Sequence, residues 1–552
     1  MSDLPQSSAP RRGILSLAAV LAIVALAAGA CGSSKAATTA TTTPEAAAAA
    51  SNSNLPADEG TPKDGGSLVW GLEAETDSMS PSVGRWAQPG HMMASAIFDP
   101  LVTLDDKGEA VPYLATSITP NADSTVWTIT LPTGVKFHNG QALDAAAVVK
   151  NLDAVKTSII TGKTMLAVTS IVATDPQTVT ITVAQPWATF PNLFVSQIGY
   201  IAAPEQIDDF HGGDHPIGTG PFVFKEWVKN DHFSATKNAS YWQAGLPHLD
   251  EIDFKPVPDA SQRLDELRDG TLDAMNTLTP ATITQVREDP SLRYLEYGKG
   301  DEIFVTLNTT QPPFDNPIAR QAVAYATDTA TYIDELGKDV YTSANGPYAP
   351  GQLGYLDDTG YPSFDLQKAK DLVAQYTAQT GKPLAFTYNG ISNVDDARGQ
   401  QLLKTMWDAA GMQVTLQSSK QEDQIISVVL GQYQAADFRN FSEPDPDADY
   451  IWFTKVGVGG AGDAIALNMP RYVDPTIDNA LYAARATTDA AERDRQYQTV
   501  SRSLSAGTPY IWLARVDWMI ASNPRVHGYA AAANGSLQTL SQKTWVAGLW
   551  ID

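Results

Sequence analysis

Apolar and polar positions alternate strictly in two places in the first third of the chain. Trp127, Ile129 and Leu131 are separated by Thr128 and Thr130, and Val179, Ile181 and Val183 are separated by threonines in the same way. A period of two is that of a strand with one face buried, so both segments are read as half-buried strands. Ile303 to Leu307 lacks the alternation and reads as a more buried strand. Phe222 to Trp227 reads as a strand entered through a sharp turn at Gly218-Thr-Gly220. Towards the C-terminus the period lengthens. Asp474-Pro475 supplies an N-cap with proline at the first helical position, and Ile477, Leu481 and Ala484 then share one face. Asp489-Ala-Ala-Glu492 is a capping box, followed by Tyr497, Val500 and Leu504 and closed by Gly507. Strands and helices mix without a fixed rhythm, which predicts α/β or α+β lobes and excludes an all-helical or all-β body.

Two stretches stand outside this pattern. Arg11 and Arg12 precede an apolar run from Gly13 to Ala30, about 18 residues and so at the lower edge of spanning length. Ala28, Gly29 and Ala30 lead directly into Cys31. A charged start, an apolar middle and a small-residue end make a secretory signal, with an uncleaved transmembrane helix as the competing reading. Cys31 is the only cysteine of the chain, which excludes an intramolecular disulfide, a cysteine metal cluster and a c-type haem site. Its place at the end of the signal resembles a bacterial lipobox, where the thiol is diacylated and the signal removed; Ala28 stands where leucine is the commoner residue. The twin arginines leave both general and twin-arginine export open. Residues 32–64, rich in Ala, Thr and Ser, hold almost no large apolar side chains and read as a flexible tether.

The 552 residues are 43% apolar with a formal net charge of −25, a field that repels phosphate backbones and excludes nucleic acid as a partner. No motif for catalysis, a metal or a cofactor survives inspection. His211 and His215 flank two glycines and have no third ligand nearby. Gly218-Thr-Gly220 is followed by no lysine of a phosphate loop. Asp445-Pro-Asp447-Ala-Asp449 has calcium-loop spacing, but Tyr450 and Val456 stand where glycine and glutamate are required. There is no Gly-x-Ser-x-Gly elbow and no His-Glu-x-x-His helix. What remains is the segment Arg439 to Trp452, with four carboxylates, an arginine and three aromatics around two prolines. Prolines hold such a loop extended, carboxylates suit a ligand ammonium, and the arginine suits a ligand carboxylate.

Several segments in order resemble one family. Ile97-Phe98-Asp-Pro-Leu101, Gly108-Glu-Ala-Val-Pro112-Tyr-Leu-Ala115 and the run from Trp127 to Gly140, with its Val-Lys-Phe-His138-Asn-Gly140 core, form the first group. Pro216-Ile-Gly-Thr-Gly-Pro-Phe222, Asn238-Ala-Ser-Tyr-Trp242, Asp259-Ala-Ser-Gln-Arg263, Leu307-Asn308, Pro313 to Ala322 and Tyr325-Ala-Thr-Asp328 continue it. Together they are similar to the peptide/nickel-type substrate-binding proteins of ATP-driven importers, the bacterial extracellular solute-binding proteins of family 5.

The resemblance implies an α/β, two-lobed, periplasmic-binding-protein-like fold of class II, a venus flytrap with an extra inserted domain. The first lobe is expected at about 65–85, 216–300 and 506–552, the inserted domain at 86–215 and the second lobe at 301–505. It also implies a monomer outside the cell, tethered through Cys31, that captures a small solute and delivers it to the membrane subunits of an ABC importer without catalysis. An oligopeptide or dipeptide is the family's default ligand, with nickel chelates, haem, opines and oligosaccharides as alternatives and a secreted hydrolase as the reading from another class. Peptide-binding relatives carry an aspartate for the peptide amine where this chain has Ser442, followed by Glu443. The expected ligand contacts are Asp77, Ser78, Met79 and Trp86 from the first lobe. Those from the second are Tyr388, Asn389, Arg439, Phe441, Ser442, Glu443 and Asp445.

Overall fold

The computed structural model describes residues 53–56, 59–105, 107–159, 161–440, 445–458, 465–529, 539–540, 543–544 and 546–552. The signal segment, Cys31, the tether up to residue 52, and Phe441, Ser442 and Glu443 lie outside the described residues. Among the described residues no helix is long and apolar enough to cross a membrane.

An eleven-stranded mixed sheet organises the body. Its strands include β1 (Ser67–Leu72), β2 (Phe222–Val228), β3 (His232–Lys237), β4 (Glu251–Pro256), β5 (Ala274–Thr277) and β6 (Arg293–Leu307). They continue with β7 (Ala385–Ile391), β8 (Gln413–Ser419), β9 (Ala435–Asn440) and β10 (Tyr510–Ser522). The order across the sheet is β8-β7-β9-β6-β10-β5-β1-β4-β3-β2. β6 and β10 stand in the middle and are the longest, at 15 and 13 residues. Twelve of the thirteen β10 residues are buried, as expected of a strand covered on both faces, which explains its nearly unbroken apolar run.

The pairing of β6 with β10 shifts register twice, at Tyr297–Asp301 and again at Ile303–Phe304, and the first shift is the wider. Tyr297 faces Trp518 and Asp301 faces Val516, so four positions of β6 pass against two of β10. Before this bulge β6 shares β10 with the β1, β4 and β5 side of the sheet; after it, Glu302 to Leu307 pair with β9 on the other edge. A bulge adds backbone without ladder bonds and bends the strand, and the local sequence Gly298-Lys-Gly300 supplies the freedom for it. Each half of the sheet therefore has its own set of strands, joined through β6 and β10. The segment just before β1 is not loose throughout: the Asn54 side chain accepts from Tyr294 N at 2.7 Å and donates to Leu292 O at 2.9 Å.

Residues 101–203 build a separate core. Four antiparallel strands, at 117–120, 126–130, 178–183 and 168–175 in sheet order, carry Trp127, Ile129, Val179 and Ile181 inward, each at most 3% exposed. The expected alternation thus matches the buried face. Polar anchors bind this unit to the β1–β5 half of the sheet. Asp99 accepts from Thr219 Oγ1 at 2.8 Å, Tyr241 Oη at 2.9 Å and Trp242 Nε1 at 2.8 Å. His138 Nδ1 accepts from Gly218 N at 3.3 Å and its Nε2 lies 3.0 Å from Gly220 O. The Gly-Thr-Gly turn exists for contact: a Cβ on either Gly218 or Gly220 would strike the Ile97 backbone.

The C-terminal helices follow their caps. Counting from here only the helices used below, α1 (Val394–Ala409), α2 (Pro475–Arg485) and α3 (Ala490–Gly507) are capped by Asn393, Asp474 and Asp489. The Glu492 N–H donates to Asp489 Oδ1 at 2.9 Å. Closure of α3 differs from the expectation. Gly507 is helical, and the left-handed residue is Thr508 at φ 47° and ψ 45°. Gly507 is needed for space, because a Cβ there would collide with the Tyr472 ring.

Candidate functional site

Parallel strands end together on both sides of the bulge, and the crevice beyond such carboxyl ends is where open α/β sheets bind ligands. Glu73 follows β1 directly, Arg439 lies at the end of β9, and Asp301 follows the bulge in β6. Arg439 draws the three together. Its Nη2 lies 3.7 Å from Glu73 Oε1, its Nε lies 3.7 Å from Asp301 Oδ2, and its guanidinium carbon sits 5.1 Å from the centre of the Trp518 ring. Asp301 also accepts from Trp518 Nε1 at 2.9 Å. A contact of 3.7 Å is an ion pair without a good hydrogen bond. Arg439 is thus held in place by charge and by the indole face.

Further acids lie on the neighbouring helix and strands. Asp396, on the first turn of α1, interacts with Arg439, Asp395 and Glu73, and burial raises its carboxyl above the ordinary range. Glu302, next to Asp301, pairs with Arg515 at 2.5 Å, and both side chains are 3% exposed. Burial raises Glu302, Arg515 pulls it back, and Asp449 and Asp301 push it up again. Asp437, two residues before Arg439, accepts from Tyr388 Oη and from Gln400 Nε2 at 3.2 Å, and burial drives its carboxyl far up. Behind these groups Phe304 meets Tyr510 and Trp512 edge-on at 4.9 and 5.5 Å. Arg439 and the acids beside it offer carboxylates for a cation and one arginine for an anion.

The structure distributes the expected contacts unevenly. Arg439 meets Glu73 and Asp301. Asp445 is held by Arg493 Nη2 at 2.5 Å. Asp77 clamps its own loop, accepting from Arg85 N at 2.9 Å and Arg85 Nε at 2.7 Å, and Ser78 accepts Trp86 Nε1 on its carbonyl at 2.7 Å. Met79 is fully buried, with its N–H on Gly213 O at 2.8 Å. Trp86 packs against Phe98 and Tyr200 within the same core. The Tyr388 ring is fully buried against Trp407 at 5.0 Å, and the Asn389 carbonyl accepts from Gln424 at 3.3 Å. The carboxylates of Asp445, Asp447 and Asp449 do not converge: they face Arg493, Arg485 and Asn440 respectively.

Glu73, Asp301 and Glu302 are additions the sequence reading lacked. A signal for the last two was present: two acids directly precede the buried run Ile303–Leu307, where unpaired carboxylates are costly.

Residues 109–461 match the model of the bacterial extracellular solute-binding proteins, family 5 middle region. The chain belongs to this family. Members are solute-binding proteins that work outside the cytoplasm with ABC importers, and they are not enzymes. The glutathione-binding protein GsiB of Pectobacterium atrosepticum is 27% identical over 449 residues, covering 79% of this chain and 86% of that protein. The periplasmic binding protein DppA of Helicobacter pylori, solved with the peptide STSA, superposes with a TM-score of 0.79 at 23% identity, over 89% of this chain and 98% of that one. The oligopeptide-binding protein AppA of Bacillus subtilis, solved with a nonapeptide, gives 0.77 at 20% identity, over 89% and 100%. At such identities the superpositions show the fold, which is that of two-lobed binding proteins. In this family 5 member the two halves of the sheet meet at β6 and β10.

Proposed function

We propose that this family 5 protein captures short peptides in the crevice around Arg439, Glu73 and Asp301 and delivers them to an ABC importer. The observation that carries the reading is the pairing of Arg439, from beyond the bulge, with Glu73, from the opposite half of the sheet, at 3.7 Å. A free peptide has an ammonium and a carboxylate, and this site presents fixed charges of both signs drawn from both halves. Ligand binding shifts the closure equilibrium only through contacts better made when closed, and groups on opposite halves meet that condition. β6 and β10 act as the hinge, with the bulge at Tyr297–Asp301 absorbing the backbone rotation. The lobes are about 65–85, 216–300 and 506–552 on one side and 301–505 on the other, with 86–215 inserted into the first. Asp77, Ser78, Asn389, Phe441, Ser442, Glu443 and Asp445 complete the peptide's surroundings. The chain works as a monomer at the outer face of the cytoplasmic membrane, after export on its signal segment and acylation of Cys31.

The similarity to glutathione- and peptide-binding relatives supports this ligand class over chelates, opines and sugars. Thermal-shift measurements test it, using reduced glutathione, di- to pentapeptides, nickel–histidine and an opine as probes. A probe at about 100 times its dissociation constant adds about 2.7 kcal/mol of stability, a shift of several degrees. Arg439→Met is expected to remove the shift given by peptides. If only a non-peptide probe raises the melting temperature, the peptide reading falls. A Cys31→Ser chain recovered in the culture medium instead of with membranes is the expected sign of the lipid anchor.

A further inference from the structure

Away from the crevice, the four-stranded unit meets the far half of the molecule at Trp187. The indole Nε1 donates to Asp447 Oδ2 at 2.8 Å, and Asp447 Oδ1 accepts from Arg485 Nε at 2.7 Å. The Ala188 N–H donates to the Arg485 carbonyl at 2.7 Å. The Arg485 guanidinium lies between two rings, 3.9 Å from the Trp187 centre and 3.5 Å from that of Tyr450. Trp187, Asp447 and Arg485 are 2%, 5% and 7% exposed. Burial alone would raise the Asp447 carboxyl, yet Arg485, Thr189 and Trp187 together hold it below its ordinary range, so the pair is ionised.

The partners belong to different halves. Trp187 sits in the unit that Asp99 and His138 fasten to the β1–β5 side. Arg485 ends α2, and Asp447 lies on the turn after β9, in the same segment as Arg439 and Asp445. Parting the halves about β6 and β10 must therefore draw the indole off a buried ion pair and let water in.

We propose that Trp187, Asp447 and Arg485 form a closure-dependent contact outside the ligand crevice, one that holds the halves together and sets how long a ligand stays bound. The proposal rests on the solute-binding reading of the crevice, although its residues touch no ligand and act as positioning residues. A contact made only in the closed form raises the closed population and with it the apparent affinity.

The test uses the full chain carrying Cys31→Ser, with spin labels at Lys156→Cys and Lys370→Cys, both exposed and on opposite halves. Pulsed electron paramagnetic resonance reads the distance between the halves without any ligand. Trp187→Phe keeps a ring over Arg485 and removes only the donor. The unliganded parent is expected to show a short-distance population that Trp187→Phe reduces. In stopped flow the dissociation rate of reduced glutathione or trialanine is expected to rise about three- to tenfold, the worth of one buried hydrogen bond, with the association rate unchanged. Asp447→Asn is expected to act in the same direction, and a double-mutant cycle with Trp187→Phe to be non-additive. A purely structural role would lower the melting temperature and leave the distances unmoved, which overturns the proposal. A parent with no short-distance population overturns it equally. If neither probe binds, the peptide reading fails while the distances still decide this one.

Discussion

His138 gives the fold a pH dependence whose size follows from its surroundings. The imidazole lies in the Val-Lys-Phe-His segment between the four-stranded unit and the turn at Gly218. The Gly218 N–H donates to Nδ1, so the neutral ring carries its proton on Nε2 and donates it to Gly220 O. Burial lowers the pKa from 6.5 to about 4, and the bond to Gly220 only partly opposes this. A histidine with a depressed folded value stabilises the fold above the unfolded value, and that stability is lost as pH falls. With 6.5 unfolded and about 4 folded, the loss is about 2 kcal/mol by pH 5 and about 3 kcal/mol by pH 4. Urea unfolding of the parent and of His138→Phe, run between about pH 7.5 and pH 4, measures the difference. The variant is expected to be weaker near neutrality, because Gly218 and Gly220 lose a partner, and its curve should approach the parent's towards pH 4. Parallel curves across that range would refute the assignment of a buried neutral imidazole.

Three further outcomes are expected. Asp99→Ala strands three buried donors, Thr219, Tyr241 and Trp242, and should cost about 3 kcal/mol in chemical denaturation, with Asp99→Asn milder; a change within about 0.5 kcal/mol would contradict it. Thr508→Gly relieves a β-branched residue at φ 47° whose buried hydroxyl has no hydrogen-bond partner, so melting should shift upward by the equivalent of about 0.5–1 kcal/mol. Trp407→Ala empties a fully buried site beside Phe386 and Tyr388 and should cost about 3–5 kcal/mol. Calorimetry at a temperature where this variant stays folded should find its peptide affinity unchanged.

The local pattern carried much of the architecture. Threonine-spaced Trp127, Ile129, Val179 and Ile181 bury their apolar face in the structure, because a period of two leaves a strand no other way to hide it. Asp474-Pro475 and Asp489–Glu492 start helices where expected, since a cap satisfies its donors within a few residues. The order of signature segments was enough to identify the family, and Arg439 was visible as a cation among carboxylates. What the sequence left open depends on partners far along the chain. Glu73 meets Arg439 across 366 positions (439 − 73), and Trp187 donates to Asp447 across 260. The one-three-five carboxylates at 445–449 fail as a calcium loop by sequence, and in the structure each turns to a different partner, Arg493, Arg485 and Asn440. Tyr388 and Trp86 were expected as ligand contacts, and the tertiary structure packs their rings against Trp407 and Phe98. Periodicity and capping act over a few residues and are written in the chain. Which charge faces which across a crevice is decided by the tertiary path that brings distant strand ends together.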